Sequence, residues 1–199
     1  MAEIADRAGF IAANLTLQPV AFVPETSIYM AHPGSRLSRL GDVPPYWAYV
    51  WAGGAGLARF VLDRDLVQGL VVLDFGAGSG LVGIAAAMQG ARVFAEETDP
   101  WGRAAVGVNA AANGVVVSLG ACQPELVLAG DVFYGRQVAA RVLPVLDGFR
   151  AAGARVLVGD PGRVDLPRDR LELLAEIEVR DMGDGPGKTT SCGVFDYRP

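Results

Sequence analysis

The chain of 199 residues is long enough for one α/β domain and too short for two of ordinary size. Its net charge of −5 and its single lysine oppose binding to nucleic acid, which depends on clustered Lys and Arg. No uninterrupted apolar run reaches about 20 residues, so a transmembrane helix is not expected. The acids near the start likewise disfavour a secretory signal.

Two cysteines, Cys122 and Cys192, lie 70 residues apart and lack the spacing of metal ligands. We interpret them as reduced thiols of a cytoplasmic protein and expect no metal site. The expected partner is a small molecule or a protein, and neither a nucleic acid nor a membrane. We expect the chain to act as a monomer.

The first third of the chain shows no regular alternation of strands and helices. We interpret residues 1–69 as an N-terminal helical and irregular cap over a core at residues 70–199, within a single domain of residues 1–199. Its stretch PPYWAYVWAGGAGLARFVLD predicts a helix in the later half. There Leu57, Phe60 and Val61 join the tryptophans in one apolar face.

From residue 70 onward, strand and helix patterns alternate. Strands are predicted at 70–75, 91–97, 115–119, 125–131 and 154–160, and helices at 79–90, 99–114, 135–151 and 167–175. Segments 177–182 and 191–197 are predicted to pair as two final strands across a turn rich in glycine and proline. Short connections imply right-handed βαβ units, and therefore a mostly parallel, Rossmann-like sheet with helices on both faces.

The stretch VVLDFGAGSGLVG places Gly76, Gly78 and Gly80 between the first core strand and a helix. With Gly83 it also contains the dinucleotide pattern G-x-G-x-x-G, so the glycines alone do not select a nucleotide ligand. Asp74 would repel a pyrophosphate at the helix N-terminus, but it would attract the methionine ammonium of S-adenosylmethionine (SAM). The acid therefore favours SAM over NAD, although Asp74 could instead brace the loop.

A second acid, Glu97, lies 17 residues past Gly80 at the end of the second core strand. An acid there can accept hydrogen bonds from both ribose hydroxyls of a nucleotide. Alternation along the strand favours Glu97 over the competitors Glu96 and Asp99. Trp101, which follows, could pack on the adenine or within the core.

The fourth core strand ends in AGDVFYG, across the expected switch point from the glycine loop. Asp131 could accept hydrogen bonds from a substrate nitrogen and orient it for in-line displacement. Phe133 and Tyr134 could hold an alkylammonium through cation–π contacts, and Tyr134 could alternatively pack at the end of the sheet.

The fifth core strand ends in VGDPGR, which brings Asp160 and Arg163 to the same rim. We favour an ion pair between these two residues over a contact of Arg163 with a substrate carboxylate. His32, the single histidine, is interpreted as a surface or packing residue.

These features together resemble the class I SAM-dependent methyltransferases, whose seven-stranded sheet has an antiparallel last strand. More narrowly, the chain is similar to methyltransferase family 16, a group of protein-lysine methyltransferases. The resemblance covers about residues 24–199 and rests on PPYWAYVWAGGAGLARFVLD, VLDFGAGSGLVGIAAAMQGARVFAEETDP, LVLAGDVFY, VLVGDPGR and TTSCGVFDY.

The resemblance implies a SAM site, and it implies a lysine of a folded protein as the methyl acceptor. Its cofactor-binding residues would be Trp51, Asp74, Gly76, Ala77, Gly78, Gly80, Glu97 and Thr98, and DVFY would line the path of the lysine. The leading acceptor is the beta subunit of the electron transfer flavoprotein. Two departures stand out: Ala52 replaces a usual proline, and GACQPE offers no acid to the adenine amino group.

Several alternatives remain at this point. A methyltransferase of the ribosomal protein L11 type shares the glycine loop, and a small amine is another conceivable acceptor. An N6-adenine nucleic-acid methyltransferase would need two prolines that DVFY lacks. Asp74 disfavours an NAD-dependent oxidoreductase, and the intact rim disfavours a binding module without catalysis.

Overall fold

The computed structural model describes residues 6–41, 43–182 and 188–199. The strands are β1 Thr16–Val20, β2 Val23–Met30, β3 Val71–Phe75, β4 Arg92–Glu96, β5 Val117–Leu119, β6 Leu126–Gly130, β7 Arg155–Asp160, β8 Leu171–Val179 and β9 Thr190–Tyr197. The α-helices are α1 Arg7–Asn14, α2 Ala52–Leu62, α3 Leu81–Met88, α4 Pro100–Ala112 and α5 Arg136–Ala151. In these ranges, no helix has the length and apolar character needed to cross a membrane.

A seven-stranded sheet in the order β5-β4-β3-β6-β7-β9-β8 forms the centre of the molecule. β3 to β7 run parallel, whereas β9 is antiparallel to both β7 and β8. The sheet class and the antiparallel last strand predicted from the sequence are therefore confirmed. Because the strand order reverses between β3 and β6, their carboxyl ends border the crevice where such sheets bind ligands.

Both faces of the sheet carry helices, as predicted. Alternate strand residues bury on opposite faces, so Val72 packs with Leu57 of α2, whereas Leu73 packs in the cluster that contains Leu146 of α5. α2, which we assigned to the cap, lies in the helix layer against α3, β7 and β9. The division at residue 69 stays a prediction.

One predicted helix is wrong. Residues 167–175 form only a 3₁₀ turn at Arg168–Arg170, after which β8 begins at Leu171. Its sequence LELLAEIEV favours a helix by local propensity, but antiparallel pairing with β9, with one register shift between Leu173 and Ala175, overrides that preference. The final strand pair is confirmed with an earlier start, and the turn predicted to join it lies at 183–187, outside the described residues.

The hairpin of β1 and β2 is attached to α4 by two asparagine side chains. Asn113 accepts from the backbone N–H of Ser27 at 2.9 Å and donates to its carbonyl. Asn109 accepts from the N–H of Tyr29 at 2.8 Å and donates to the carbonyl of Ser79 at 2.8 Å. One buried asparagine therefore links the hairpin to the glycine loop.

Candidate active site

The glycine loop has a backbone that only glycine adopts readily. Gly76, Gly78 and Gly80 have φ values of 69°, 53° and 81°. The N–H groups of Gly76 and Ala77 donate to the carbonyl of Glu96 at 2.9 and 3.2 Å, which ties the loop to the end of β4. These two hydrogen bonds fix the tight turn that precedes α3.

Asp74 is buried beneath this loop, with 2% of its surface exposed. Its Oδ2 accepts a hydrogen bond from the N–H of Gly83 at 2.8 Å, and a Cβ on Gly83 would lie 2.9 Å from the same oxygen. This contact explains Gly83 without a dinucleotide. Burial raises the pKa of Asp74 to about 7, although the Gly83 hydrogen bond opposes that shift.

Glu97 reaches the glycine loop, as alternation predicts. Its Oε2 accepts from the N–H of Gly78 at 2.8 Å, and its Oε1 accepts from the N–H of Asp99 at 2.8 Å. Glu96 is exposed, and the Asp99 side chain caps α4 by accepting from the N–H of Trp101. Of the three acids, Glu97 alone places its carboxylate on the loop.

Trp101 is half-buried and packs against other aromatic residues. Its ring stacks on Trp47 at 5.9 Å and meets the edge of Phe10 at 5.3 Å. Thr98 lines a cavity of about 350 Å³ together with Val43, Pro45 and both tryptophans. Packing of Trp101 is therefore confirmed, and a contact with the adenine stays a prediction.

Asp131 lies across the crevice, just after β6, and it is held on two sides. Its Oδ1 accepts from Nε and Nη2 of Arg163 at 2.9 and 2.5 Å, and its Oδ2 accepts from the N–H of Gly54 at 2.9 Å. Its φ of 56° is uncommon for an L residue. Burial raises the pKa of Asp131 to about 6, although the charge and hydrogen bonds of Arg163 oppose that shift.

Small residues in α2 and the strands permit the Gly54 contact. A Cβ on Gly130 would lie 2.8 Å from the Cα of Gly54, and one on Gly159 would lie 2.2 Å from the carbonyl of Gly53. The N-terminus of α2 thus lies directly on the ends of β6 and β7. The AGGAG sequence carried this signal, and our sequence analysis missed it.

The predicted ion pair between Asp160 and Arg163 is wrong. Oδ1 of Asp160 accepts instead from the backbone N–H groups of Gly162 and Arg163, both at 2.7 Å, because the two- and three-residue spacing closes a turn. The guanidinium of Arg163 is thereby directed to Asp131. Among the described residues, Oδ2 of Asp160 has no hydrogen-bond partner.

Aromatic residues form a row that leads to the Asp131–Arg163 ion pair. Tyr134, which is 54% exposed, lies 5.5 Å from Tyr46, and Tyr46 lies 5.7 Å from Trp51. The Arg163 guanidinium lies 5.9 Å from the Trp51 ring. Phe133 is completely buried in the core, so its ring does not belong to this row.

The remaining candidates from the sequence are His32 and the two cysteines, and we assign none of them a role in the crevice. His32 is exposed, and its Nδ1 accepts from the N–H of Gly34. Both cysteines are free. Residues 6–41, 43–182 and 188–199 contain no group of three His, Cys, Asp or Glu placed to hold a metal.

The crevice fits SAM. A positive-φ glycine turn, with Glu97 beside it, suits close approach of a nucleoside and its ribose. The Asp131 carboxylate, ion-paired with Arg163, and exposed aromatic residues lie across the switch point, where a methyl acceptor would lie.

Comparison with known proteins finds methyltransferases. A family model described as ribosomal protein L11 methyltransferase matches residues 57–136. Over 173 residues the chain is 36% identical to the electron transfer flavoprotein beta subunit lysine methyltransferase of Rattus norvegicus, covering 78% of this chain and 68% of the relative. The Homo sapiens protein of the same name is 39% identical over 173 residues, with 78% and 66% covered.

A solved structure shares the fold. The ribosomal protein L11 methylase of Lactobacillus delbrueckii subsp. bulgaricus aligns with a TM-score of 0.51 and 23% identity, covering 71% of this chain and 76% of that one. The chain spans about two thirds of the length of the rat and human relatives. On this similarity the chain belongs to the family of electron transfer flavoprotein beta subunit lysine methyltransferases, and it is a SAM-dependent class I methyltransferase.

Proposed function

We propose that this protein methylates a lysine side chain on the beta subunit of the electron transfer flavoprotein. Its relatives are named for that reaction. The observation that carries the proposal is Asp131, ion-paired with Arg163 and fixed opposite the glycine loop near a row of aromatic side chains. This arrangement suits an amine acceptor on a long, flexible side chain.

The cofactor would lie between the glycine loop and the end of β4. We assign Glu97 to the ribose hydroxyls and Asp74 to the methionine ammonium, directly or through water. The other assigned residues are Trp51, Gly76, Ala77, Gly78, Gly80 and Thr98. When bound, SAM supplies a methyl group on a positively charged sulfur, ready for displacement by a nucleophile.

The chain's own contribution is to orient the acceptor. Asp131 would accept a hydrogen bond from the lysine nitrogen and direct its lone pair toward the methyl group. Tyr134 and Tyr46 would enclose the aliphatic stem, and their ring faces would attract an alkylammonium product. Because Phe133 is completely buried, we revise its proposed role from substrate contact to packing beneath the segment after β6.

We further propose that the enzyme acts as a monomer in the cytoplasm, without contact to a membrane. Two free thiols suit a reducing compartment. A second candidate acceptor is ribosomal protein L11, favoured by the family model that matches residues 57–136.

The test is methyl transfer from labelled SAM to recombinant flavoprotein beta subunit and, separately, to ribosomal protein L11. We expect labelled lysine in the former, identified by mass spectrometry. Label in L11 alone would move the protein to the second candidate. Label only in RNA or small molecules from a lysate lacking the enzyme would refute both.

The Asp131→Ala variant should lose transfer by about 100-fold or more, since orientation and electrostatics at the acceptor are removed together. SAM affinity, measured by calorimetry, should stay within about threefold. Glu178→Gln, on the exposed face of β8, is the matched control and should behave as wild type. Equal losses of transfer and of SAM affinity in Asp131→Ala would instead place Asp131 in the cofactor site.

A further inference from the structure

One arginine lies among several carboxylates at the rim of the crevice. Arg163 forms a two-pronged ion pair with Asp131, and the side chains of the two residues are 24% and 9% exposed. Asp160 and Asp181 also act on the Arg163 charge from the ends of β7 and β8. The acceptor lysine of the proposed function would enter a site where these carboxylates surround the fixed Arg163 guanidinium.

Charge decides whether that lysine can react. A lysine ammonium has an ordinary pKa of about 10.4 and no free lone pair, so it must lose its proton first. An unpaired carboxylate would stabilise the ammonium and raise its pKa further. An Asp131 already paired with a guanidinium has much less effect, because the two opposite charges largely cancel.

We propose that Arg163 is a positioning residue that neutralises Asp131, so that the acceptor lysine binds in its unprotonated, nucleophilic form. This inference rests on the proposed function. It gives Arg163 a role in the reaction that goes beyond fixing the turn after β7.

The position of Arg163 is set independently of any ligand. Its backbone N–H donates to Asp160 Oδ1, and its guanidinium lies over the Trp51 ring. Asp131 is held from the other side by the N–H of Gly54. The ion pair is thus preformed, and an incoming amine meets a carboxylate oxygen whose charge is already compensated.

Methyl transfer to the lysine requires the loss of one proton and the breaking of one C–S bond. The lysine ammonium gives its proton to water before reaction. The nitrogen lone pair then forms the N–C bond as the C–S bond breaks, and the electron pair of that bond stays on sulfur, which becomes neutral. The methylated nitrogen carries the positive charge and loses a proton to water before any further transfer.

Other titratable groups around the pair do not replace Arg163. Burial and the negative charges of Asp131, Asp160 and Asp181 raise the pKa of the Cys192 thiol in β9 to about 12. This thiol therefore stays neutral. Arg168 influences Asp160, but its Nη2 donates to the carbonyl of Gly162. Arg163 is the cation hydrogen-bonded to Asp131.

The test is the pH dependence of kcat with saturating SAM and flavoprotein beta subunit, because kcat reports ionisations in the enzyme–substrate complex. In Arg163→Gln the Asp131 carboxylate has no cationic partner, so it stabilises the ammonium form of the acceptor lysine and raises the pKa of its one reacting proton. We expect the apparent pKa of the acidic limb to rise by at least about one unit, which lowers kcat about 10-fold at pH 7.5. The loss should shrink as the pH approaches 10.

Matched variants separate charge from architecture. Arg163→Lys keeps the charge, so its profile should stay near the wild-type position even if kcat falls. Arg168→Gln removes a cation from the same turn and should leave the profile unchanged. If Arg163→Gln does not fold, as judged by circular dichroism, the apolar Arg163→Met serves under the same criterion.

A uniform loss of kcat at every pH, or no loss, would overturn the inference, because either result would leave Arg163 a purely structural role. The wild-type rate in the same assay reports on the proposed function separately. If the wild-type enzyme methylates no lysine, the proposed function and this inference both fall. If it does and the profiles coincide, only the inference falls.

Discussion

At the scale of single residues, Asp74 has two roles to separate. It accepts a hydrogen bond from Gly83 of α3, and it is also our candidate to bind the SAM ammonium. A carboxyl whose pKa is about 7 is only partly ionised at neutral pH. Pairing with an ammonium requires the ionised form, so SAM binding at pH 7 should release part of a proton. Calorimetry in buffers with different ionisation enthalpies measures that release directly.

Replacing Asp74 separates its two roles. In Asp74→Asn the amide oxygen can still accept from Gly83, so the helix start should persist. SAM affinity should fall about 10-fold or more and proton release should vanish, because a charged hydrogen bond is lost. Glu96→Gln, at the exposed end of β4, is the control. Undiminished affinity in Asp74→Asn would leave Asp74 as a structural brace only.

At the scale of secondary-structure elements, Asn109 joins the β1–β2 hairpin to the glycine loop. Alanine there would leave the Ser79 carbonyl and the Tyr29 N–H without their partner. We expect Asn109→Ala to lower the free energy of unfolding by about 2–6 kcal/mol, at about 1–3 kcal/mol for each of the two unpaired groups. Because Ser79 belongs to the loop, the Kd for SAM should also rise.

Asn113 provides the matched comparison, since it contacts the same hairpin through Ser27 but not the glycine loop. Asn113→Ala should lower stability, measured by urea unfolding, without weakening SAM binding. If both variants weakened SAM equally, the hairpin rather than the loop contact would control the cofactor site.

Elements also show how far the sequence could predict this fold. Buried strands and Ala-rich helices between residues 70 and 160 were predictable, because burial on both faces produces long apolar runs and because glycines end the helices. β8 was not, since LELLAEIEV becomes a strand only through its pairing with β9. Long-range pairing leaves little trace in local propensity.

The sequence also predicts the candidate site only in part. The positions of Asp74, Glu97 and Asp131 follow from the ends of parallel strands, and were predictable. The partner of Arg163 was not, because a turn at Asp160 decides where the guanidinium points. Nor was the burial of Phe133, which depends on how the chain leaves β6.

At the scale of the whole molecule, buried acids around the crevice make stability depend on pH. Burial raises the pKa values of Asp74 and Asp131 in the folded state, to about 7 and about 6, from an ordinary 3.8. Between pH 4 and pH 7 the folded state therefore binds more protons than the unfolded state. The free energy of unfolding should fall as the pH rises through this window.

The expected size is large enough to measure. A shift of about three pKa units at Asp74 corresponds to about 4 kcal/mol lost between pH 4 and pH 8, at about 1.4 kcal/mol per unit. Without ligand, Tm from calorimetry should thus be higher near pH 5 than at pH 8. Asp74→Asn should flatten this dependence, since the asparagine does not titrate. SAM should stabilise the protein more at pH 8 than at pH 5, because its ammonium favours the ionised Asp74, and equal stabilisation at both pH values would contradict that pairing.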